Sequence, residues 1–278
     1  MQVWKESSSK FKVTDVTAER NGEAVRLKVT YLLAAGNDYT AEYTVWPSGA
    51  VEAAMHFAST DRKAVEVGPT EAQLEATFSP AAAEARKNAA ELEVPRIGMR
   101  FRLPVSMNGV EYYGRGPQEN YCDRKAGTLA GIYRTTADQM YYPYVRPQEN
   151  GHHTDTRRVT FGSGKGSPVL DIYADGLMEF NALRNSVEDF DSEECKSRPY
   201  QWRNLNPGSM VHNEAAAANS IPRRTHIDDI VPRDYVEVCL DMLHQGVAGY
   251  DSWGSRPEPE FRISAGREYR WGFTMIPR

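Results

Sequence analysis

The sequence predicts an all-β fold built as an antiparallel sandwich. Apolar and polar residues alternate with a period of two in segments spread along the whole chain, the pattern of strands that bury one face and expose the other. Clusters of glycine and proline separate these segments, as expected for turns between antiparallel strands. The aromatic content of 10%, with 15 Tyr and 5 Trp, also suits a β-sheet.

The strands are predicted in chain order from this alternation. The segments are Val25–Leu33, Tyr39–Val45, Val51–Phe57, Ile97–Val105, Val169–Tyr173, Leu177–Asn181, Tyr235–Leu243 and Tyr269–Ile276. Pro47-Ser48-Gly49 predicts a hairpin turn, because proline presets φ and glycine permits a positive φ. The glycine-rich stretch 162–167 predicts a hairpin loop and not a phosphate-binding loop, whose required glycine and Ser/Thr positions are missing.

Two segments interrupt the strand pattern. Residues 79–93 are rich in Ala, Glu, Lys and Arg, and Ser79 with Pro80 can start a short exposed helix there. Residues 206–232 contain three prolines and are predicted to form a long loop. No clear domain boundary is visible, so we expect a single domain over residues 1–278.

The composition excludes several classes of protein. With 33 basic and 38 acidic residues the net charge is −5, which offers no electrostatic basis for binding nucleic acid or an anionic membrane. The three cysteines show no C-x-x-C spacing, which excludes a disulfide framework and a cysteine-rich zinc site. We find no apolar run long enough to span a membrane, and the first residues lack the apolar region of a signal peptide.

A repeated tetrapeptide, Pro-Gln-Glu-Asn, occurs at residues 117–120 and again at 147–150. Tyrosines surround both copies: Tyr112, Tyr113, Tyr121, Tyr141, Tyr142 and Tyr144. Aromatic rings beside amide and carboxylate groups are typical of sugar sites, but buried carboxylates that accept loop N–H groups produce the same pattern. Glu119 and Glu149 could also form a two-carboxylate glycosidase pair, although spacing in sequence does not support that assignment.

Two further motifs carry candidate polar groups. His152 and His153 are adjacent, and on an extended segment they point to opposite faces, which argues against one shared metal ion and favours a hydrogen-bonded or sugar-facing histidine. Residues 246–254 form a glycine-punctuated loop after a strand and present Trp253 near Asp251 and Ser252. That tryptophan suits stacking on a sugar, or else plugs the end of the sandwich.

Four blocks in the second part of the chain carry a family resemblance. They are Pro95–Met99, Tyr113–Arg124, Met140–Gly151 with Thr156-Arg157, and Gln245–Trp253. In order and spacing they resemble the C-terminal domain, the small-chain region, of the LacZ-type β-galactosidases of glycoside hydrolase family 2. The resemblance covers about residues 95–278, and the earlier part matches mainly in its strand pattern. It implies a galactose mutarotase-like antiparallel supersandwich, in which the Pro-Gln-Glu-Asn blocks are mostly structural.

The resemblance also implies where the chemistry lies. The family's catalytic glutamates and its divalent and monovalent cations lie in a (β/α)8 barrel. This chain has neither the length nor the alternation of strands and helices that such a barrel requires. We therefore expect no catalytic residue, metal or cofactor in this chain, and a sandwich truncated at its N-terminal edge. The expected partners are a galactoside substrate and the remaining domains of a parent β-galactosidase. Homo-oligomerisation of the parent, and a cytoplasmic or periplasmic location, stay open.

The resemblance places the sugar platform at Trp253, and the expected substrate-binding set is Trp253, Asp251, Ser252, His152, Glu149 and Asn150. In this reading the chain completes the galactoside site of a retaining β-galactosidase that hydrolyses terminal β-D-galactosides. One alternative is a stand-alone aldose 1-epimerase, a mutarotase, with His152 as acid and Glu149 as base. A second alternative is a carbohydrate-binding module that contributes nothing to the chemistry.

Overall fold

A computed structural model describes residues 10–58, 93–162, 168–190, 227–250 and 256–278, together with Trp4 and Gly166. These residues form eleven strands, and every pairing between them is antiparallel. Helical residues are few, so the predicted all-β antiparallel sandwich is confirmed. The predicted helix 79–93, apart from Glu93, and the predicted loop up to residue 226 lie outside the described residues.

The strands are β1 (Lys12–Asn21), β2 (Ala24–Leu32), β3 (Asp38–Val45), β4 (Val51–Phe57), β5 (Arg96–Pro104), β6 (Gly109–Gly116), β7 (Leu129–Thr136), β8 (His153–Phe161), β9 (Leu170–Leu183), β10 (Tyr235–His244) and β11 (Tyr269–Pro277). A helical turn, α1 (Ala137–Met140), follows β7, and short 3-10 turns include Val187–Phe190 and Ile227–Asp229. No helix in the described part of the chain has the length and apolar character needed to cross a membrane.

Strand β9 joins the two layers of the sandwich. Its first half pairs with β11 within the long layer, whose strand order is β1-β2-β3-β4-β11-β9-β8-β6-β7. Its second half, Glu179–Leu183, pairs with β10, whose other edge pairs with β5 in the short layer. The sequence predicts two strands here, but the structure has one strand, because β8 pairs with both halves of β9.

The core lies between the two layers and follows the period of two. In the long layer Met55 pairs with Trp271 and Ala53 pairs with Phe273, so these four side chains share one face of the sheet. Val238 and Phe180 of the short layer pack into the same apolar cluster. Complete burial of a side chain such as Phe273 contributes roughly 1.5–3 kcal/mol to folding. Both predicted hairpins are present: β3 turns into β4 with Gly49 at φ 85°, and the end of β8 pairs with the start of β9.

The apolar face of the long layer extends further than its buried part. Across β1, β2 and β3 it consists of Val16, Val25, Leu27, Val29, Tyr43 and Val45, which we term the β1–β3 apolar face. Val16 is 57% exposed, Val25 47% and Val45 41%, although they share the face that β4 and β11 turn towards the core. The hydrophobic surface of the sheet is thus only partly covered by the described residues.

Candidate functional site

Buried polar side chains cover the outer face of the short layer, and we term this set of side chains the polar layer. Phe180, Ala182, Val238 and Leu240 of β9 and β10 point into the core, so the alternate residues Glu179, Asn181, Cys239 and Asp241 project to the opposite face. All four of these outer residues are buried. Burial makes unpaired charge costly, so the pairing of these groups determines what the site can do.

Glu179 is at the centre of this polar layer. Its Oε2 accepts a hydrogen bond from the backbone N–H of His244 at 2.7 Å and lies 3.0 Å from Nε2 of His152. Burial raises the pKa of the Glu179 carboxyl to about 7, because the ionised form loses its hydration. Burial, assisted by the positive charge of Arg96, lowers the pKa of His152 to about 3. His152 is therefore neutral at pH 7, and the site holds no imidazolium there.

His152 is enclosed by aromatic rings. Its imidazole stacks on Tyr121 with ring centroids 5.2 Å apart and lies 4.8 Å from the ring of His244. The residue is 0% exposed, and its Nδ1 has no hydrogen-bond partner among the described residues. A sugar could reach this ring only if the surrounding chain moved. The geometry is that of a hydrogen-bonded core histidine.

His153 points to a different environment, as expected for adjacent residues on an extended segment. Its ring stacks on Phe180 at 5.6 Å and its Nδ1 lies 3.0 Å from the carbonyl oxygen of Arg115. Burial lowers the pKa of His153 to about 4. The two histidines therefore do not converge on one point. Among the described residues no group of three or more His, Cys, Asp or Glu side chains is arranged to hold a metal ion.

An ion pair borders the site on the β5 side. Arg96 donates from Nη2 and Nε to Oδ2 of Asp241 at 2.7 and 3.2 Å. Burial raises the pKa of Asp241 to about 7, and the neighbouring guanidinium opposes that rise. Gly98 lies opposite Asp241, and a Cβ at that position would come within 2.1 Å of Asp241 Oδ1 and 2.3 Å of the Leu240 carbonyl oxygen. A glycine is therefore required at position 98 for the Asp241 carboxylate to lie over β5.

Glu149 and Asn150, both predicted site residues, lie next to this ion pair. Oε1 of Glu149 accepts a hydrogen bond from Nδ2 of Asn181 at 3.2 Å, and its Oε2 lies 3.6 Å from Nη1 of Arg96. Asn150 is buried, accepts from the backbone N–H of Tyr142 at 3.1 Å and donates to the carbonyl of Gln148 at 2.8 Å. Asn150 therefore shapes its loop, whereas the Glu149 side chain keeps 26% exposure.

A small pocket opens beside Glu149. Its lining consists of Glu149, Asn150, Asn181, Leu183, Asn185, Val187, Phe190, Glu237 and Cys239. The carboxylate of Glu237 is paired with Arg100 and with Arg102, whose Nε lies 3.2 Å away. Burial raises the pKa of the Cys239 thiol to about 12, so this sulfur is not a nucleophile at neutral pH. The pocket has room for about one water molecule, and its lining presents no activated acid or nucleophile.

Three predicted substrate-binding residues, Asp251, Ser252 and Trp253, lie outside the described residues. The chain that leads to them leaves β10 at His244 and reaches the surface at Tyr250, which is 57% exposed. The structure thus brings His152, Glu149 and Asn150 into one polar layer. For the other three predicted residues it describes only the chain that precedes them, up to Tyr250. Four further residues of this polar layer were not predicted from the sequence: Glu179, Arg96, Asp241 and His244. Glu179 could have been predicted as a buried polar residue, because it is the one acidic residue in the apolar run Leu177–Leu183.

Comparisons with known proteins agree on one family. A family model described as "Beta galactosidase small chain" matches residues 1–275. A beta-galactosidase of Priestia megaterium is 29% identical over 185 residues, which cover 66% of this chain and 15% of that protein. The one from Vibrio cholerae is 30% identical over 182 residues, covering 66% and 14%. The one from Halalkalibacterium halodurans is 26% identical over 226 residues, covering 79% and 19%. The chain spans less than a fifth of the length of these relatives.

Proposed function

This chain belongs to the beta-galactosidase small chain family, and on that premise we propose that it is the non-catalytic C-terminal sandwich of a LacZ-type β-galactosidase of glycoside hydrolase family 2. Other domains of that enzyme carry the catalytic glutamates and the cations. This chain completes the site for the terminal galactose. The observation that carries the proposal is a family match along nearly the whole chain, combined with relatives that are roughly four times as long as this chain.

The site geometry supports a non-catalytic role. Retaining glycosidases need two carboxyl groups about 5–5.5 Å apart, flanking the scissile bond. Glu119 is committed to Arg124, to Tyr144 and to a loop N–H, while Glu149 is committed to Asn181. Glu179 is enclosed beside His152. Each of these carboxylates has a structural partner, so none is presented to a substrate as a free acid or nucleophile.

The β1–β3 apolar face supports contact with the rest of a larger enzyme. Valines 16, 25 and 45 remain at 57%, 47% and 41% exposure on one continuous sheet face. Apolar patches of this kind commonly mark protein interfaces. We assign this face to the remaining domains of the parent β-galactosidase.

Sugar contacts are assigned to the loop after β10. Trp253 provides the platform for the sugar ring, and Asp251 and Ser252 hydrogen-bond to its hydroxyls. Glu149, which keeps partial exposure, is the third polar group of the proposed set. His152 and Asn150 act indirectly, because their burial places them behind the surface.

The test compares the isolated chain with the same chain inside the complete enzyme. With a nitrophenyl β-galactoside we expect no turnover from the isolated chain and normal turnover from the complete enzyme. Turnover by the isolated chain that disappears in Glu119→Gln or Glu149→Gln would overturn the proposal. Rapid decay of the optical rotation of α-galactose would identify a mutarotase instead. Galactose binding together with unchanged enzyme kinetics in Trp253→Ala would identify a binding module.

A further inference from the structure

The short layer of the sandwich ends in a strand with an unpaired edge. Strand β5 pairs with β10 along one side, from Arg96 to Pro104. Along its other side it pairs with no strand in the described part of the chain. The N–H and C=O groups of such an edge are a template for one more strand. The short layer can therefore be extended beyond β5.

The position beyond β5 lies over the β1–β3 apolar face. At one end of the short layer, Phe180 of β9 contacts Tyr112 of β6, with ring centroids 5.3 Å apart. At the other end, Ile97 of β5 packs in one apolar cluster with Phe57 of β4 and Tyr39 of β3. The short layer thus crosses the long layer from β6 towards β3. A further strand, about 4.8 Å beyond β5 in the same direction, would lie over β2 and β1.

The apolar core is open on this side. The core-facing side chains of β10 are 0% exposed, whereas the β5 side chains paired with them are only partly buried. The three pairs are Val236 with Leu103, Val238 with Phe101, and Leu240 with Met99. Opposite this opening, the β1–β3 apolar face is also incompletely covered. A strand placed here would remove apolar side chains of both layers from water, which favours its binding.

The outer strands of the two layers differ in how readily they accept a partner. β1, at the edge of the long layer, has a bulge near its start and carries the charged Arg20 on the same face as its valines, and both features oppose pairing with another strand. In β5 the core-facing residues of Ile97–Leu103 are all apolar. Its outward-facing Arg100 and Arg102 donate to Glu237 within the short layer. Of these two edges, β5 is therefore the one suited to accept a strand.

From these observations we propose that an extended segment from another domain of the parent β-galactosidase adds to β5 as a further strand of the short layer. Its alternate side chains are apolar and cover Val25, Leu27 and Val29 of the β1–β3 apolar face, and the others are polar and face outwards. The inference rests on the proposed function, which supplies the other domains. It adds the way in which they attach, through backbone hydrogen bonds to β5 as well as apolar contact.

Hydrogen exchange of the backbone amides tests the proposal by comparing this chain alone with the same chain in the complete enzyme. In the chain alone, the amides of Ile97–Leu103 that face away from β10 should exchange rapidly. In the complete enzyme their exchange should be at least about tenfold slower, because the added strand bonds to them. The amides of β3, which lies between β2 and β4, are the internal reference and should change less.

A matched pair of variants in the complete enzyme tests whether the added strand also covers the β1–β3 apolar face. Val25→Lys places a charge on that face and should restore rapid exchange at the β5 amides. Thr30→Lys places the same charge on the opposite face of β2 and should leave these amides protected. Equal protection of β5 in the two variants would show that the added strand does not cover this face. The wild-type comparison stands even if Val25→Lys does not fold.

The remaining outcomes separate this inference from the proposed function. Slow exchange at the same β5 amides in the chain alone would overturn the inference, because this chain, or a second copy if dilution speeds the exchange, would then already cover the edge. Unchanged exchange at β5 in an active complete enzyme would overturn the added strand and leave the proposed function standing. Protection of β5 in a complete protein without β-galactosidase activity would overturn the proposed function and support the added strand.

Discussion

The carboxylate of Glu119 accepts a hydrogen bond from the backbone N–H of Gly151 at 2.7 Å. This contact joins the two Pro-Gln-Glu-Asn blocks, since Glu119 belongs to the first and Gly151 follows the second. The asparagines of the blocks also share one geometry: the side-chain amides of Asn120 and Asn150 donate to carbonyl oxygens two residues earlier, at 3.0 and 2.8 Å. Of the two explanations for the repeated motif, the buried structural carboxylate describes Glu119.

Replacing Glu119 should therefore destabilise the chain. In Glu119→Ala the N–H of Gly151 and the side chains of Arg124 and Tyr144 lose their acceptor, and we expect a loss of about 2–3 kcal/mol in the free energy of unfolding. Urea unfolding measures it. Glu52→Ala, at an exposed position in β4, is the control and should stay within about 0.5 kcal/mol of wild type. Equal stabilities of the two variants would show that the Glu119 contacts contribute little.

Gly98→Ala should destabilise the short layer. The new Cβ would lie 2.1 Å from Asp241 Oδ1 and 2.3 Å from the carbonyl oxygen of Leu240, so both the carboxylate and the β10 backbone must shift. Overpacking of this kind costs about 1–3 kcal/mol, which thermal or urea unfolding can resolve. Gly176→Ala, where no atom lies within 4 Å of the added Cβ, is the matched control and should be close to neutral. Tolerance of alanine at both positions would contradict the close approach of Asp241 to β5.

The raised pKa of Glu179 predicts a specific pH dependence. The pKa is about 7 in the folded chain against an ordinary value of 4.5, so the folded state binds the proton more tightly and the associated stability is lost as pH rises through about 7. The stability of wild type relative to Glu179→Gln should therefore fall by about 2 kcal/mol between pH 5 and pH 7.5. His152, whose pKa is lowered, acts in the opposite direction but is present in both proteins. Urea unfolding at a series of pH values measures the difference, and a difference that stays constant or grows with pH would rule out a buried, protonated Glu179.

The β1–β3 apolar face predicts a loss of assembly without a loss of fold. Val16→Lys places a charge on a residue that is 57% exposed, so the stability of the isolated chain should change by less than about 0.5 kcal/mol. Under the proposed function, its association with the remaining domains of the parent enzyme should weaken, which a titration of recovered β-galactosidase activity measures. Thr17→Lys, on the opposite face of the same strand, is the control and should assemble normally. Equal assembly of the two variants would remove this face from the interface.

The strands that were predicted correctly share one property: their alternation reflects a buried and an exposed face. The segments of β2 to β5 and β9 to β11 were identified from it. Strands β1, β6 and β7 were not identified, and of β8 only the end was implied, by the hairpin loop predicted at residues 162–167. β1 is exposed along its whole length, and the edge strand β7 keeps Leu129 at 75% and Ile132 at 62% exposure, so neither separates polar from apolar residues in a period of two. In β6 the run of Gly, Tyr and Arg residues hides the alternation, although Val110 and Tyr112 are buried.

The sequence by itself determined the fold class, most strand positions, both hairpins and the family, because these depend on local periodicity, turn residues and ordered motifs. Only the tertiary structure decided which polar side chains meet. Glu179 contacts His152 and His244, and Asp123 contacts Ala248, across 27, 65 and 125 positions of sequence respectively. Such contacts depend on the register between distant strands and on the chain that covers the outer face of the short layer. The chain segments that cover these groups also remove their hydration. For this reason His152, which was predicted as a sugar-facing or hydrogen-bonded histidine, is buried and neutral.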